Sequence, residues 1–385
     1  MPDFVYLDHA ATTPVRPEVL EVMQPFFGPR FGNPSSMHRW GREARTALDE
    51  ARERVGRALG AASDEVVFTS CGTEADNMAL LGVWRARSAS GRRAVVTTPI
   101  EHKAVLAAAH QIGREGGEER LVAMQSSGLV DDESFDALIS DDVAVCSVMW
   151  VNNEIGVLQD VSSLAKRANA RGVVFHTDAV QAFGKVEVDA RITPFDVLSI
   201  SGHKIGAPKG IGALYIRRGT AIEPLMFGGT QDRGRRPGTE NVAMAVGLAR
   251  AAELAVIERV HEWAALEIRR DRLEAALLSC IPDAVIHGRG SPRAPHIMNI
   301  SVPGVDSESM LMALDLRGIA CSAGSACQSG SITASHVLHA IGVSPDLASS
   351  AIRMSLGSMT TDACIERGVE VFPTLVAKAR RLTPA

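Results

Sequence analysis

Six short runs of this chain, residues 65–69, 94–98, 143–149, 172–177, 196–200 and 211–216, are apolar without the alternation of a strand that faces water on one side. Such continuous runs read as strands covered on both faces, and a mostly parallel sheet lying between helices is the arrangement that covers them. Helical spacing lies between and before the runs. Ala44, Leu48, Ala51, Val55 and Leu59 recur on one face, and Gly60 supplies a helix stop. The fold class expected is therefore α/β. From residue 243 to about 278 the pattern is helical with few breakers, long enough to bridge to a second, smaller unit. The remainder mixes helices with short strands at 297–302 and 352–356, so that unit is expected to be α+β.

In parallel sheets, ligands sit beyond the carboxyl ends of the strands. Three such ends carry polar groups: Thr69-Ser70, Asp178, and Ser201-Gly202-His203-Lys204. A lysine at one strand end and an aspartate at another supply an amine that can form an imine and a carboxylate that can hold a pyridinium, which is what pyridoxal phosphate requires.

Bulk properties narrow the classes further. With 385 residues, 46% of them hydrophobic, the chain is long enough for a large core. Its 45 acidic and 40 basic side chains give a net charge of −5, and no basic tail stands out, so direct nucleic-acid binding is not expected. No run of about 18 apolar residues and no leader-like start is present, so no membrane association is expected. The six cysteines, at 71, 146, 280, 321, 327 and 364, form no Cys-x-x-Cys pair. That pattern suits reduced thiols in the cytoplasm and argues against a zinc site.

Other motifs fit the same chemistry, each beside a plainer reading. Gly72 and Thr73 follow the first run and open a helix, where free N–H groups favour a phosphate; an ordinary helix cap is the alternative. His102 begins another helix and suits stacking on a ring and proton transfer, or capping alone. Asn152 follows the third run and suits a donor to the cofactor, or a turn. Residues 228–231 and 236–241 form a glycine-rich stretch in which Thr239 could reach a phosphate. Cys327 lies among small residues, which suits an exposed, moving nucleophile; Cys321 ends an apolar stretch and reads as core. Arg353, inside a short apolar run, requires a carboxylate, from substrate or from the protein itself.

Together with Leu7-Asp8-His9-Ala10-Ala11-Thr12-Thr13-Pro14 and Gly32-Asn33-Pro34-Ser35-Ser36, these segments occur in order over nearly the whole chain. The set resembles the cysteine desulfurases of the NifS/IscS type, pyridoxal 5'-phosphate enzymes of fold type I related to class V aminotransferases. The resemblance implies a large domain over 13–258, and a small domain from 1–12 plus 259–385 that carries a mobile cysteine loop at about 321–334. It implies that Lys204 binds the cofactor covalently, Asp178 pairs with the ring nitrogen, and Gln181 pairs with the ring oxygen. His102 would stack on the ring, and Asn152 would contact cofactor or substrate. Gly72, Thr73, Ser201 and His203 would hold the phosphate, with Thr239 reaching in from a neighbouring subunit of a homodimer. Arg353 would bind the carboxylate of L-cysteine, and Cys327 would take its sulfur for a protein acceptor. Iron–sulfur cluster assembly, tRNA thiolation and DNA phosphorothioation remain open as destinations. Selenocysteine lyase, another aminotransferase, and a non-catalytic sulfur carrier are the competing readings.

Overall fold

The computed structural model describes residues 4–323 and 335–382. After a short strand β1 (Val5–Tyr6), the chain builds a seven-stranded sheet. Its strands are β2 (Val66–Thr69), β3 (Ala94–Thr97), β4 (Glu118–Leu121), β5 (Val143–Ser147), β6 (Val174–Asp178), β7 (Val197–Ser201) and β8 (Gly212–Ile216), in spatial order β2-β8-β7-β6-β5-β3-β4. Only β8 runs against its neighbours, β2 and β7; the other pairings are parallel. Every position of β2, β3, β5, β6, β7 and β8 is buried, as continuous apolar runs require. The exception is β4, whose Glu118, Glu119 and Arg120 lie at the sheet edge, where charge discourages further pairing.

A second layer of strands comes from the C-terminal part. β9 (Val285–Ile286), β10 (Ile297–Ser301) and β12 (Ala351–Ser355) form an antiparallel sheet, and β11 (Ile319–Ala320) pairs in parallel with β1. The two layers have separate cores. One gathers Phe175, Phe183, Phe195 and Tyr215 around the large sheet, and the other gathers Leu273, Met298, Ile352 and Phe372. The 39-residue helix Val242–Cys280 belongs to both: Leu248 packs into the first core and Leu273 into the second. Its start is capped by Asn241, whose side chain accepts from the Met244 N–H. The helix over 39–59 ends at Gly60 with φ of 68°, the left-handed conformation that a glycine stop supplies. Among the described residues, no helix is long and apolar enough to cross a membrane.

Candidate active site

A cavity of about 520 Å³ opens where β6 and β7 end and where the helix after β2 begins. Of the residues singled out in the sequence, Gly72, Thr73, His102, Asp178, Gln181, Ser201, His203, Lys204 and Arg353 all line it. They come from segments up to 281 positions apart (353 − 72), brought together by the parallel sheet and by β12.

Lys204 closes a 3₁₀ turn, Gly202–Lys204, directly after β7. Gly202 is required there, because a Cβ would lie 2.8 Å from Ile211 Cγ2. The Lys204 amine donates to Ala10 O at 2.6 Å and Ala11 O at 2.7 Å. Burial, reinforced by the Arg353 charge, pushes its pKa down to about 8, so a nucleophilic neutral amine is accessible near neutral pH. Asp178 ends β6, with Oδ1 accepting from Val180 N–H at 2.8 Å. Burial raises its pKa and the nearby His102 and Lys204 oppose that, so a cation placed against it would restore its charge.

His102 caps the helix Lys103–Arg114, its Nδ1 accepting from Ala104 N–H at 3.1 Å. Capping and cavity lining therefore coexist in one side chain, with Nε2 left for other work. Burial lowers its pKa and favours the neutral imidazole. His203 is likewise pushed down to about 4 by burial, then by Lys204, and meets Thr12 Oγ1 at 3.2 Å. Arg353, on β12, has an internal partner: Nη2 donates to Asp8 Oδ1 at 2.9 Å and Nη1 to Asn153 O at 2.8 Å. Its Nε is buried without a partner.

Two expected residues do not line this cavity. Asn152 is fully buried behind it. Its Nδ2 donates to Ile100 O at 2.9 Å, while Oδ1 accepts from the N–H groups of Glu154 and Ile155. The carboxamide builds the turn, and the neighbouring Asn153 and Glu154 line the cavity instead. Thr239 is exposed and outside the cavity of its own chain; Arg236 in the same segment pairs with Glu74, two residues past Gly72. Cys327 lies outside the described residues. Two further carboxylates line the same cavity with no role evident in the sequence, Asp8 and the buried Asp76.

The residues fit pyridoxal phosphate. A Cβ at Gly72 would stand 3.0 Å from Val180 Cγ2 and 3.4 Å from Ser201 Cβ, so the backbone is held close to the Ser201 side. The helix it opens has Cys71 at its cap with no side-chain bond, leaving donors for an anion. Asp178 and Lys204 add a carboxylate and an amine to the lining of the same cavity.

Residues 5–367 match the family Aminotransferase class-V. Cysteine desulfurase NifS of Azotobacter vinelandii is 44% identical over 381 residues, covering 99% of this chain and 94% of that one. Among solved structures, a NifS-like protein superposes with a TM-score of 0.91 at 35% identity, covering 97% of this chain and all of the other. SspA in complex with cysteine superposes with a TM-score of 0.80 at 32% identity, covering 91% of this chain and 98% of that one.

Proposed function

The chain belongs to the class-V aminotransferase family and is a pyridoxal-phosphate-dependent cysteine desulfurase; we propose that Lys204, Asp178, Arg353 and Cys327 carry its reaction on L-cysteine. What supports the assignment most is that Lys204, Asp178 and Arg353 line one cavity. When bound, the cofactor supplies an electron sink for bond breaking next to the substrate's α-carbon. Asp178 holds the ring nitrogen protonated by a charge-assisted hydrogen bond. Gly72, Thr73, Ser201 and His203 hold the phosphate, and Gln181 donates to the ring oxygen. The Lys204 amine would hold the cofactor and, once free, would move the substrate's α-proton. Cys327 as thiolate attacks the substrate sulfur: an S–S bond forms, the C–S bond breaks, and its electron pair stays on carbon. That carbon takes up a proton, through His102, and leaves as the methyl group of L-alanine. Cysteine and protein thiol thus become alanine and protein persulfide, with no external oxidant, and the persulfide sulfur passes to an acceptor protein. Residues 13–258 act as the cofactor-binding domain and the remainder as the domain bearing Cys327, in the cytoplasm.

Arg353 is the test of substrate orientation. It lines the cavity, and its Nε has no partner beside the two bonded nitrogens. Losing a hydrogen bond to a charged group amounts to about 1.5–3 kcal/mol, so Arg353→Met should raise KM for cysteine roughly 10- to 100-fold. The cofactor's visible band should persist. Asp8→Asn, which disturbs only the internal pair, should change KM far less. Equal effects of the two variants would assign Arg353 to Asp8 alone.

A homodimer accounts for the exposed apolar side chains Phe31, Met37 and Phe227, at 72%, 89% and 87% exposure, and for Thr239 lying outside its own cavity. Light scattering on the purified protein should give twice the 40.9 kDa chain mass. A monomeric mass at micromolar concentration would remove both the dimer and the role of Thr239 in a neighbouring site.

A further inference from the structure

Lys185 is 5% exposed, and among the described residues no carboxylate forms an ion pair with it. A buried lysine without an acidic partner is expensive to keep and needs a reason. Its Nζ donates to Gln181 Oε1 at 3.1 Å. His296 Nε2 meets the same oxygen at 3.3 Å, while its Nδ1 has no partner. On the other side of the carboxamide, Gln181 Nε2 donates to Ala10 O at 2.8 Å, the carbonyl that also receives the Lys204 amine. A carbonyl only accepts, so the NH₂ group must face Ala10 and the oxygen must face Lys185 and His296. The amide orientation is therefore determined from both sides, and one N–H of Gln181 remains for the cavity it lines.

We propose that Lys185 is a positioning residue of the cofactor site: by donating to Gln181 Oε1 it locks and polarises the carboxamide whose remaining N–H serves the cofactor ring oxygen. The proposal rests on the reading of Gln181 and Lys204 given under Proposed function. The titratable and charged groups around Lys185 are Lys204, Arg353, His9, His203 and His296, with Arg16, Glu258 and Glu262 across the small cavity it lines, where Arg16 pairs with Glu258. Burial, then the Lys204 and Arg353 charges, brings its pKa down to about 7, and even the neutral amine retains N–H groups to donate. Its distal side borders a second, small cavity of about 60 Å³ that Lys204 also lines, so the two lysines are joined through Gln181 and the Ala10 carbonyl on one side and through this space on the other.

The experiment is a pH titration of the visible absorption of the pyridoxal-phosphate-loaded protein, without substrate. A polarised donor favours the deprotonated chromophore, whose anionic oxygen it serves, so removing Lys185 should raise the midpoint. K185M should raise it by about one unit, and K185Q, which retains a donor, should lie nearer wild type. In a Q181A background K185M should add no further shift. An unchanged midpoint in K185M, or a full additional shift in the double variant, would overturn the proposal, the latter by reducing Lys185 to a bare charge. Methionine fills the site without a desolvated amine, so folding should survive; if K185M does not fold, H296F removes the other donor and must raise the midpoint, no shift again overturning the idea. K204A separates the two levels. If wild type forms no visible band that K204A lacks, the reading of Lys204 fails; if that contrast holds while K185M equals wild type, only the role of Lys185 fails.

Discussion

Lys204→Ala will leave a folded protein that neither holds pyridoxal phosphate covalently nor turns over cysteine. The structural effect should be small. The lysine side chain sits on two backbone carbonyls, Ala10 O and Ala11 O, and Ala10 O retains its bond from Gln181 Nε2. Ala11 O loses a partner, which costs about 1–3 kcal/mol if no water replaces it. Against that, the fold no longer has to desolvate an amine whose pKa burial has pushed down to about 8. The catalytic effect should be large, because the proposed mechanism assigns both covalent capture and proton transfer to this one amine. Loss of both should lower alanine formation by roughly 10⁴-fold. The measurement is the rate of alanine release together with the visible spectrum and the melting temperature. A variant that retains the visible band and wild-type turnover would remove the foundation of the proposed mechanism, whereas one that melts far below wild type would show the lysine to be chiefly structural.

Much of this architecture was legible in the chain, and the parts that were not share a physical cause. Buried strands announce themselves because both faces must be apolar, so β2, β3, β5, β6, β7 and β8 stood out as unbroken runs. β4 did not, since an edge strand is free to carry Glu118, Glu119 and Arg120 and so looks like a loop. The long helix was visible from its lack of breakers, and so was its bridge to a second unit; which of its residues serve each core was not, because the buried side changes partners along its length. Site residues at strand ends were readable for the same reason as the strands. Asp178 and Lys204 follow apolar runs, where a polar group demands a partner.

Where the sequence leaves a residue's partners open, the deciding contact is distant in the chain. Asn152 and Asn153 are alike in sequence, and what turns Asn152 inward is Ile100 O, 52 positions away. Arg353 left two kinds of carboxylate open, and its partner Asp8 lies 345 positions away. Lys185 belongs to no motif at all. Its importance comes from Gln181 on one side and from burial on the other, neither of which a lone lysine reveals.

The second large effect is expected from Cys327→Ala, which should bind pyridoxal phosphate with an unaltered visible band yet form alanine at least roughly 10³-fold more slowly. The argument turns on which thiol could replace it. Cys146 is fully buried, and burial raises its pKa well above the ordinary thiol value. Cys321 is pushed up to about 12, again chiefly by burial, so it is no thiolate at neutral pH. Cys364 packs in the second core, and Cys280 ends the long helix, outside the cavity. Cys71 is the one serious rival among the described residues, being half-buried and lining the cavity beside Gly72. It caps the helix Gly72–Asn77, which is proposed to hold the phosphate, and a phosphate bound there would oppose the thiolate it needs for attack. Cys71→Ala should accordingly keep turnover within a few-fold of wild type. Peptide mass spectrometry of wild-type protein quenched during cysteine turnover decides between the two thiols. One added sulfur atom should appear on the peptide holding Cys327, and finding it instead on the peptide holding Cys71, with Cys327→Ala still active, would move the nucleophile from Cys327 to Cys71.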